Sequence, residues 1–220
     1  MKNKDLFDSE GTLSHELLSS HEYPWETLDE IKEYILRIGR RLSEEKYDRR
    51  EKNVWVAKDA VISDQATVVG PAIIDEGCEV RCGAFIRGCV IAGRGCVSGN
   101  STEIKNSILL DGVQLPHYNY VGDSVLGRRV HLGAGAIISN LKSDKSDVCV
   151  ELDGRKFNTG RRKLGAALGD GVEIGCNSVL CPGSTVGRGA SVYPLSRVRG
   201  AVPAGCIMKG NGEIVEREVR

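Results

Sequence analysis

Four histidines supply all the imidazole in this 220-residue chain, and their surroundings differ. His15 and His21 lie in an amino-terminal stretch rich in polar residues and read as solvated or capping groups. His117 stands in Leu115-Pro-His-Tyr-Asn-Tyr-Val-Gly-Asp123, inside an interruption of the repeat described below. Such an interruption pushes a side chain off a regular wall and towards a groove. A histidine there can take the proton from an attacking nucleophile as its new bond forms. His131, in Val130-His-Leu-Gly-Ala-Gly135, precedes an inward Leu132 and so faces outward. Cys78-x-x-x-Cys82 has a chelating spacing, but no second pair with histidines follows it. The eight cysteines are therefore expected as free thiols, filling small apolar positions in a reducing compartment. Lys142, Lys145, Arg161, Arg162 and Lys163 either bind an anion or keep a loop solvated.

The elements that must position these groups follow from a six-residue period. Aliphatic residues fall at Val56, Ile62, Val68, Ile74, Val80 and Ile86, return at Leu126, Leu132 and Ile138, and run again from Leu168 through Ile174, Leu180, Val186 and Val192 to Val198. Small or compact residues follow four positions later, as at Ala60, Ala66 and Ala72, and glycines cluster between. Period six suits neither a helix nor a hairpin meander. It suits short strands with sharp corners, stacked as a solenoid of about seven coils over residues 54–205.

Two places break the rhythm. Ile104 and Leu126 are 22 apart, which is not a multiple of six. Ile138 and Leu168 are 30 apart with no hexads between them, so residues 142–165 are expected as one protruding loop. Within it Val148, Val150 and Leu152 alternate before Asp153-Gly154, a two-residue hairpin signal. Residues 1–53 do not repeat. Leu28, Ile31, Ile35, Ile38 and Leu42 form one apolar stripe, predicting a helix that starts after Pro24 and packs on the solenoid or caps its end. Residues 46–53 read as a charged linker, and 206–220 as a tail.

Composition narrows the function. Lysine plus arginine equals aspartate plus glutamate at 30 each, so no basic field gathers nucleic acid. No apolar run reaches membrane-spanning length, and no apolar segment follows the first lysines as a signal peptide would. A cytoplasmic location is expected.

The hexads resemble the hexapeptide-repeat family, which implies an all-β fold, a left-handed parallel β-helix with three hexads per triangular coil. Within it, Thr102-Glu-Ile-Lys-Asn-Ser, the Pro116-to-Asp123 stretch and Leu132-Gly-Ala-Gly-Ala-Ile-Ile-Ser-Asn140 resemble one group in particular. They are similar to the acetyltransferase domain of glucosamine-1-phosphate acetyltransferase/N-acetylglucosamine-1-phosphate uridylyltransferases. They are similar, too, to the carboxy-terminal domain of archaeal-type sugar-1-phosphate nucleotidylyltransferases, with Asn140-Leu-Lys and Thr159-Gly-Arg-Arg-Lys-Leu-Gly165 at the two ends of the loop. The resemblance implies an acetyl-CoA-dependent N-acetyltransferase acting on an amino-sugar 1-phosphate, as a homotrimer with sites between subunits.

It implies His117 as general base and Asn140 beside the reacting acetyl group. Arg87 and Lys105 would hold the sugar phosphate, with Tyr120, Asn140 and His131 beside the sugar. Ala134, Lys142, Cys176 and Lys209 would meet coenzyme A. His131, Leu141 and Cys176 stand where bacterial relatives carry asparagine, tyrosine and serine. The transfer needs no metal, because the thioester already carries an activated acyl group. The glycine-rich nucleotidyltransferase signature Leu-x-Ala-Gly-x-Gly-Thr-Arg is absent from the sequence.

Two other readings compete. A non-catalytic sugar-phosphate-binding or regulatory module would bind without turnover, with Arg87 and Lys105 as ordinary surface charges. A γ-class carbonic anhydrase would need three histidines on zinc, whereas the repeat holds two, His117 and His131.

Overall fold

Side chains six residues apart meet on the inside because the backbone turns a corner between them. In the computed structural model, which describes residues 1–152 and 154–218, Val54 pairs with Ala72 and Ala72 with Val90, a step of 18 residues per coil. A second face keeps the same step through Val61, Glu79 and Val97, and a third through Thr67, Phe85 and Glu103. All these ladders are parallel, and the residues between corners alternate inward and outward. The inward ones, including Val56, Ile74, Val80, Ile86, Leu126, Leu132, Ile138, Leu180 and Val198, form one buried column. This is the parallel β-helix expected from the hexads. The first face runs from Val54–Ala57 to Ala201–Val202, the second from Val61–Ile62 to Cys206–Met208, and the third from Thr67–Val68 to Arg197–Val198. Seven coils are complete, and the last strands of the first two faces begin an eighth.

Both ends differ from the sequence reading. The solenoid continues to Met208, and Ile214–Glu216 folds back antiparallel on Cys206–Met208 instead of trailing as a tail. At the other end Tyr47–Glu51 pairs antiparallel with Val54–Ala57, so the expected linker is a strand. Each turn-back covers a sheet edge that would otherwise offer unpaired backbone groups.

The break between Ile104 and Leu126 resolves into two short coils. Ile86 and Ala92 are six apart, but their partners one coil on, Ile104 and Leu109, are five apart, as are Val121 and Leu126 after them. The corner after His117 keeps its six-residue step, from Leu115 to Val121, as from Ser98 to Ile104. The missing residue thus lies at the corner between the third and first faces, not at His117 as the spacing suggested. There Asn106 and Asp123 take left-handed backbone angles, with φ of 44° and 51°. Asparagine and aspartate tolerate that region better than other side chains with a Cβ.

The longer break is an insertion between intact coils. Val125 pairs with Ala167, a step of 42, which exceeds a coil by the 24 residues of 142–165. Within it Cys149–Leu152 and Arg155–Asn158 pair as a hairpin, with Leu152 opposite Arg155. Of the expected turn residues, Asp153 lies outside the described ones.

The excursion does not protrude freely. Val148, Val150, Leu152 and Leu164 are buried in a second core with Leu6, Leu17, Leu18, Trp25, Leu28, Ile31 and Ile35. The floor of that core is the outward row of the first face: Trp55, Ile73, Ile91, Ile108, Val125 and Ala167. Phe157 meets Tyr23 and Trp25 at ring centroid distances of 5.2 and 6.0 Å. Arg161, 13% exposed, pairs with Asp29 at 2.5 Å. The amino-terminal segment therefore lies along the side of the solenoid.

Its main helix, Ile31–Gly39, starts later than the apolar stripe suggested, because Pro24–Glu26 forms a separate 3-10 turn. Among the described residues no helix is long and apolar enough to cross a membrane. Ile35, fully buried in this second core, carries a direct test. Ile35→Ala is expected to destabilise the protein by about 2–5 kcal/mol. The check is a lowered urea midpoint with the slope unchanged.

Candidate functional site

The third face is bounded by two corners, and most of the residues singled out above lie on one or the other. Along the corner shared with the second face, His117, Ala134 and Cys176 occupy successive coils. The Gly135 N–H donates to the His117 carbonyl at 3.0 Å, and the Asn177 N–H to the Ala134 carbonyl at 2.9 Å. The Leu195 N–H continues the column by donating to the Cys176 carbonyl at 2.9 Å. Lys209 follows further along, next to Met208, whose carbonyl accepts the Tyr193 N–H at 2.9 Å. The Lys209 ammonium is 3.3 Å from Glu213.

His117 is exposed, and its corner is pinned from inside. Buried Asn119 accepts the His117 N–H at 3.2 Å and donates to the carbonyls of Gly133 and Ala136 at 2.9 and 3.2 Å. Tyr118, between them, has a φ of 52° and stands 63% exposed.

The corner shared with the first face gathers Lys105, Asn140 and the two left-handed residues. The Asp123 carboxylate is 5% exposed and 3.4 Å from the Lys105 ammonium. The Asn106 amide donates to Asp123 Oδ1 at 2.8 Å, and the Asn140 amide to Oδ2 at 2.5 Å. Asn140 Nδ2 also donates to the Tyr120 hydroxyl at 3.2 Å. Gly122 makes room for this meeting: a Cβ there would lie 2.7 Å from Asn140 Nδ2 and 2.8 Å from the Tyr120 oxygen. The excursion's stem closes at the same place, with Leu164 N–H on the Asn140 carbonyl and Gly165 N–H on that of Asp123, at 2.9 and 2.8 Å. Asp123 and Asn106 were not among the residues singled out from sequence. Their signal was the five-residue step, at whose corner each takes a positive φ.

Arg87, one coil above Lys105, pairs with Glu103 at 2.5 Å and lies 5.8 Å from the Phe85 ring centre. Both cations proposed for a phosphate thus already face carboxylates. His131 is placed apart. It projects from the second face, Nδ1 2.9 Å from Glu173, round the corner from Tyr120. Lys142 turns into the excursion, donating to Ser146 Oγ and, at 3.1 Å, to the Asp147 carbonyl. Cys78 is buried and Cys82 exposed, so that pair does not converge. All eight cysteines are free. No group of three or more His, Cys, Asp or Glu side chains is placed to hold a metal among the described residues.

The Tyr120 phenol is held above the usual tyrosine range, first by burial and then by the negative charges of Glu103 and Asp123. Removing a negative neighbour favours the phenolate. Glu103→Gln should therefore lower the pH at which Tyr120 ionises. Near-ultraviolet absorbance titration, with Tyr120→Phe as the blank, checks the sign.

Comparison with known proteins bears on what this arrangement is. The model of the GMPPB C-terminal domain matches residues 68–153. The chain is 34% identical over 167 residues to a bifunctional sugar-1-phosphate nucleotidylyltransferase/acetyltransferase of Sulfurisphaera tokodaii, covering 64% of this chain and 42% of that protein. It is 33% identical over 176 residues to the bifunctional protein GlmU of Methanococcus maripaludis, covering 77% and 42%. The chain therefore spans about two fifths of the length of these curated relatives. Among solved structures, the acetyltransferase domain of PglB from Neisseria gonorrhoeae, in complex with acetyl coenzyme A, is 15% identical, with a TM-score of 0.35 over 75% of this chain and 58% of that one. A likeness that loose carries no argument about the site. The homologues of this chain are thus bifunctional sugar-1-phosphate nucleotidylyltransferase/acetyltransferases, in line with the resemblance drawn from its motifs.

Proposed function

We propose that this chain transfers the acetyl group of acetyl-CoA to the amine of an amino-sugar 1-phosphate, glucosamine or galactosamine 1-phosphate. The reading includes a cytoplasmic homotrimer. The observation that carries it is the convergence of Lys105 and Asn140 on one buried carboxylate, with the Tyr120 hydroxyl on the same Asn140 amide, at the rim of the face that starts at His117.

In this reading the amine nitrogen attacks the thioester carbonyl while His117 takes its proton. Collapse of the tetrahedral intermediate breaks the C–S bond and releases coenzyme A as its thiol. Ala134, Cys176 and Lys209 line the edge that descends from His117, a track suited to an elongated cofactor. Arg87 and Lys105 suit a sugar phosphate. Each already faces a carboxylate, so binding exchanges one anion for another.

Asn140 directs its amide nitrogen at Asp123 and Tyr120 and so offers its carbonyl oxygen to a ligand. That suits a donor such as an amine or hydroxyl. The developing oxyanion is then left to another donor, in keeping with the general need for one. The corners of His117 and Asn140 are separated by at least three strand residues, about 10 Å. A second copy laid on this face would bring an edge to it. Phe85, Val179 and Leu195, exposed by 37%, 40% and 76%, supply apolar surface for such a contact.

The occupied cations favour one second reading, a module that binds a sugar phosphate without turnover. Thiol release from acetyl-CoA with each amino-sugar 1-phosphate separates the two. Loss of a positioned general base typically lowers the rate about 10²- to 10⁴-fold. His117→Ala is expected to lose activity on that scale while remaining folded, and equal turnover in both proteins removes His117 as base. Binding of the sugar phosphate by calorimetry with no thiol release supports the second reading. Light scattering should report three times the chain mass, and a monomer counts against a site shared between subunits.

A further inference from the structure

The geometry points to Asp123 as a positioning residue that acts through Asn140, an inference that rests on the acetyl-transfer reading above. An asparagine amide has an oxygen and a nitrogen of nearly equal size, so shape alone does not decide which way it faces. A neighbouring carboxylate does decide it. Ionised, it only accepts hydrogen bonds, so an amide beside it must turn its nitrogen inward.

Asp123 does this twice, to Asn106 through Oδ1 and to Asn140 through Oδ2. Asn140 is thereby committed to presenting its carbonyl oxygen outward. The same Oδ2 lies 3.4 Å from the Lys105 ammonium. One nearly buried carboxylate thus sets the polarity of one group in the site and the place of another. The side chain does this separately from the main chain of the same residue, whose carbonyl accepts the Gly165 N–H and closes the excursion.

The isosteric Asp123→Asn keeps that main-chain bond, and asparagine accepts the left-handed φ as aspartate does. It leaves one acceptor oxygen for two asparagine donors, so Asn140 is free to turn over. The expected result is a fall in kcat of roughly ten- to a hundredfold, the scale of a misplaced group in an active site, with KM for acetyl-CoA unchanged. Because Asp123 acts on kcat through Asn140, adding Asp123→Asn to Asn140→Ala should lower kcat no further, while its hold on Lys105 is read separately in the KM for the sugar phosphate. Independent, additive losses overturn the proposal.

A second measurement does not depend on turnover. In protein labelled with ¹⁵N-asparagine, the side-chain amide of Asn140, assigned by its loss in Asn140→Ala, should move in Asp123→Asn. It should keep its carboxylate-bound N–H signal in Tyr120→Phe. An unmoved Asn140 signal in Asp123→Asn, or its loss in Tyr120→Phe, overturns the positioning role whatever the activity. The expected shifts in a protein that turns over no amino-sugar phosphate uphold the role and overturn only the acetyl-transfer reading.

Discussion

No coil of this chain can bury its own apolar side. Each contributes about six inward side chains, two per face, as Ala72, Ile74, Cys78, Val80, Ala84 and Ile86 do in one coil, and these are covered only by the coils before and after. The governing constraint is therefore register. Pairing in steps of 18 stacks Val56 on Ile74 and Ile62 on Val80, and a slip of one residue would turn the aliphatic column to water. Everything that touches a ligand in the proposed reading inherits its place from that register. His117, Ala134 and Cys176 share an edge because they hold equivalent places in successive coils.

The hexads were legible because inward aliphatic residues recur at a period that fits neither a helix nor an alternating strand. Their interruption was legible as a fact but not as a location. Leu109, Leu115 and Val121 are inward residues that follow Ile104 in successive steps of five, six and six, and a search at strict six-residue phase passes over them. The shortened corner therefore seemed to belong to His117, which has the more conspicuous chemistry, when it belongs to Asn106 and Asp123. The covered first face had its own signal. Runs such as Val90-Ile-Ala92 and Ile108-Leu109 lack the alternation of a strand with one wet side, as strands buried on both sides do. Read that way, they predict a layer over them, and the amino-terminal segment and excursion are that layer. The ion pairs of Arg87, Lys105 and His131 join residues 16 to 42 positions apart, and only the coil geometry brings those partners together.

Charge on the third face alternates rather than accumulates. Arg87 and Glu103 face one another, and Lys105 and Asp123 repeat the pair one coil on, nearer the interior. An anion alone would compete with both carboxylates. A ligand with a positive as well as a negative group satisfies both signs where a plain anion does not. The outer pair is exposed and its attraction is weakened by water; the inner pair is not, which separates the two cations in how readily each changes partner.

The 24-residue excursion enters and leaves the solenoid at one point, with its stem closed by two backbone hydrogen bonds to consecutive coils. Closing a loop whose ends already meet has an entropy that grows only with the logarithm of its length. Doubling such a loop costs only about 0.6 kcal/mol. The coils on either side keep their pairing whatever the loop contains. The excursion is thus a place where this scaffold can exchange sequence for new contacts while the edge of His117 and Ala134 upstream and that of Cys176 downstream stay in phase.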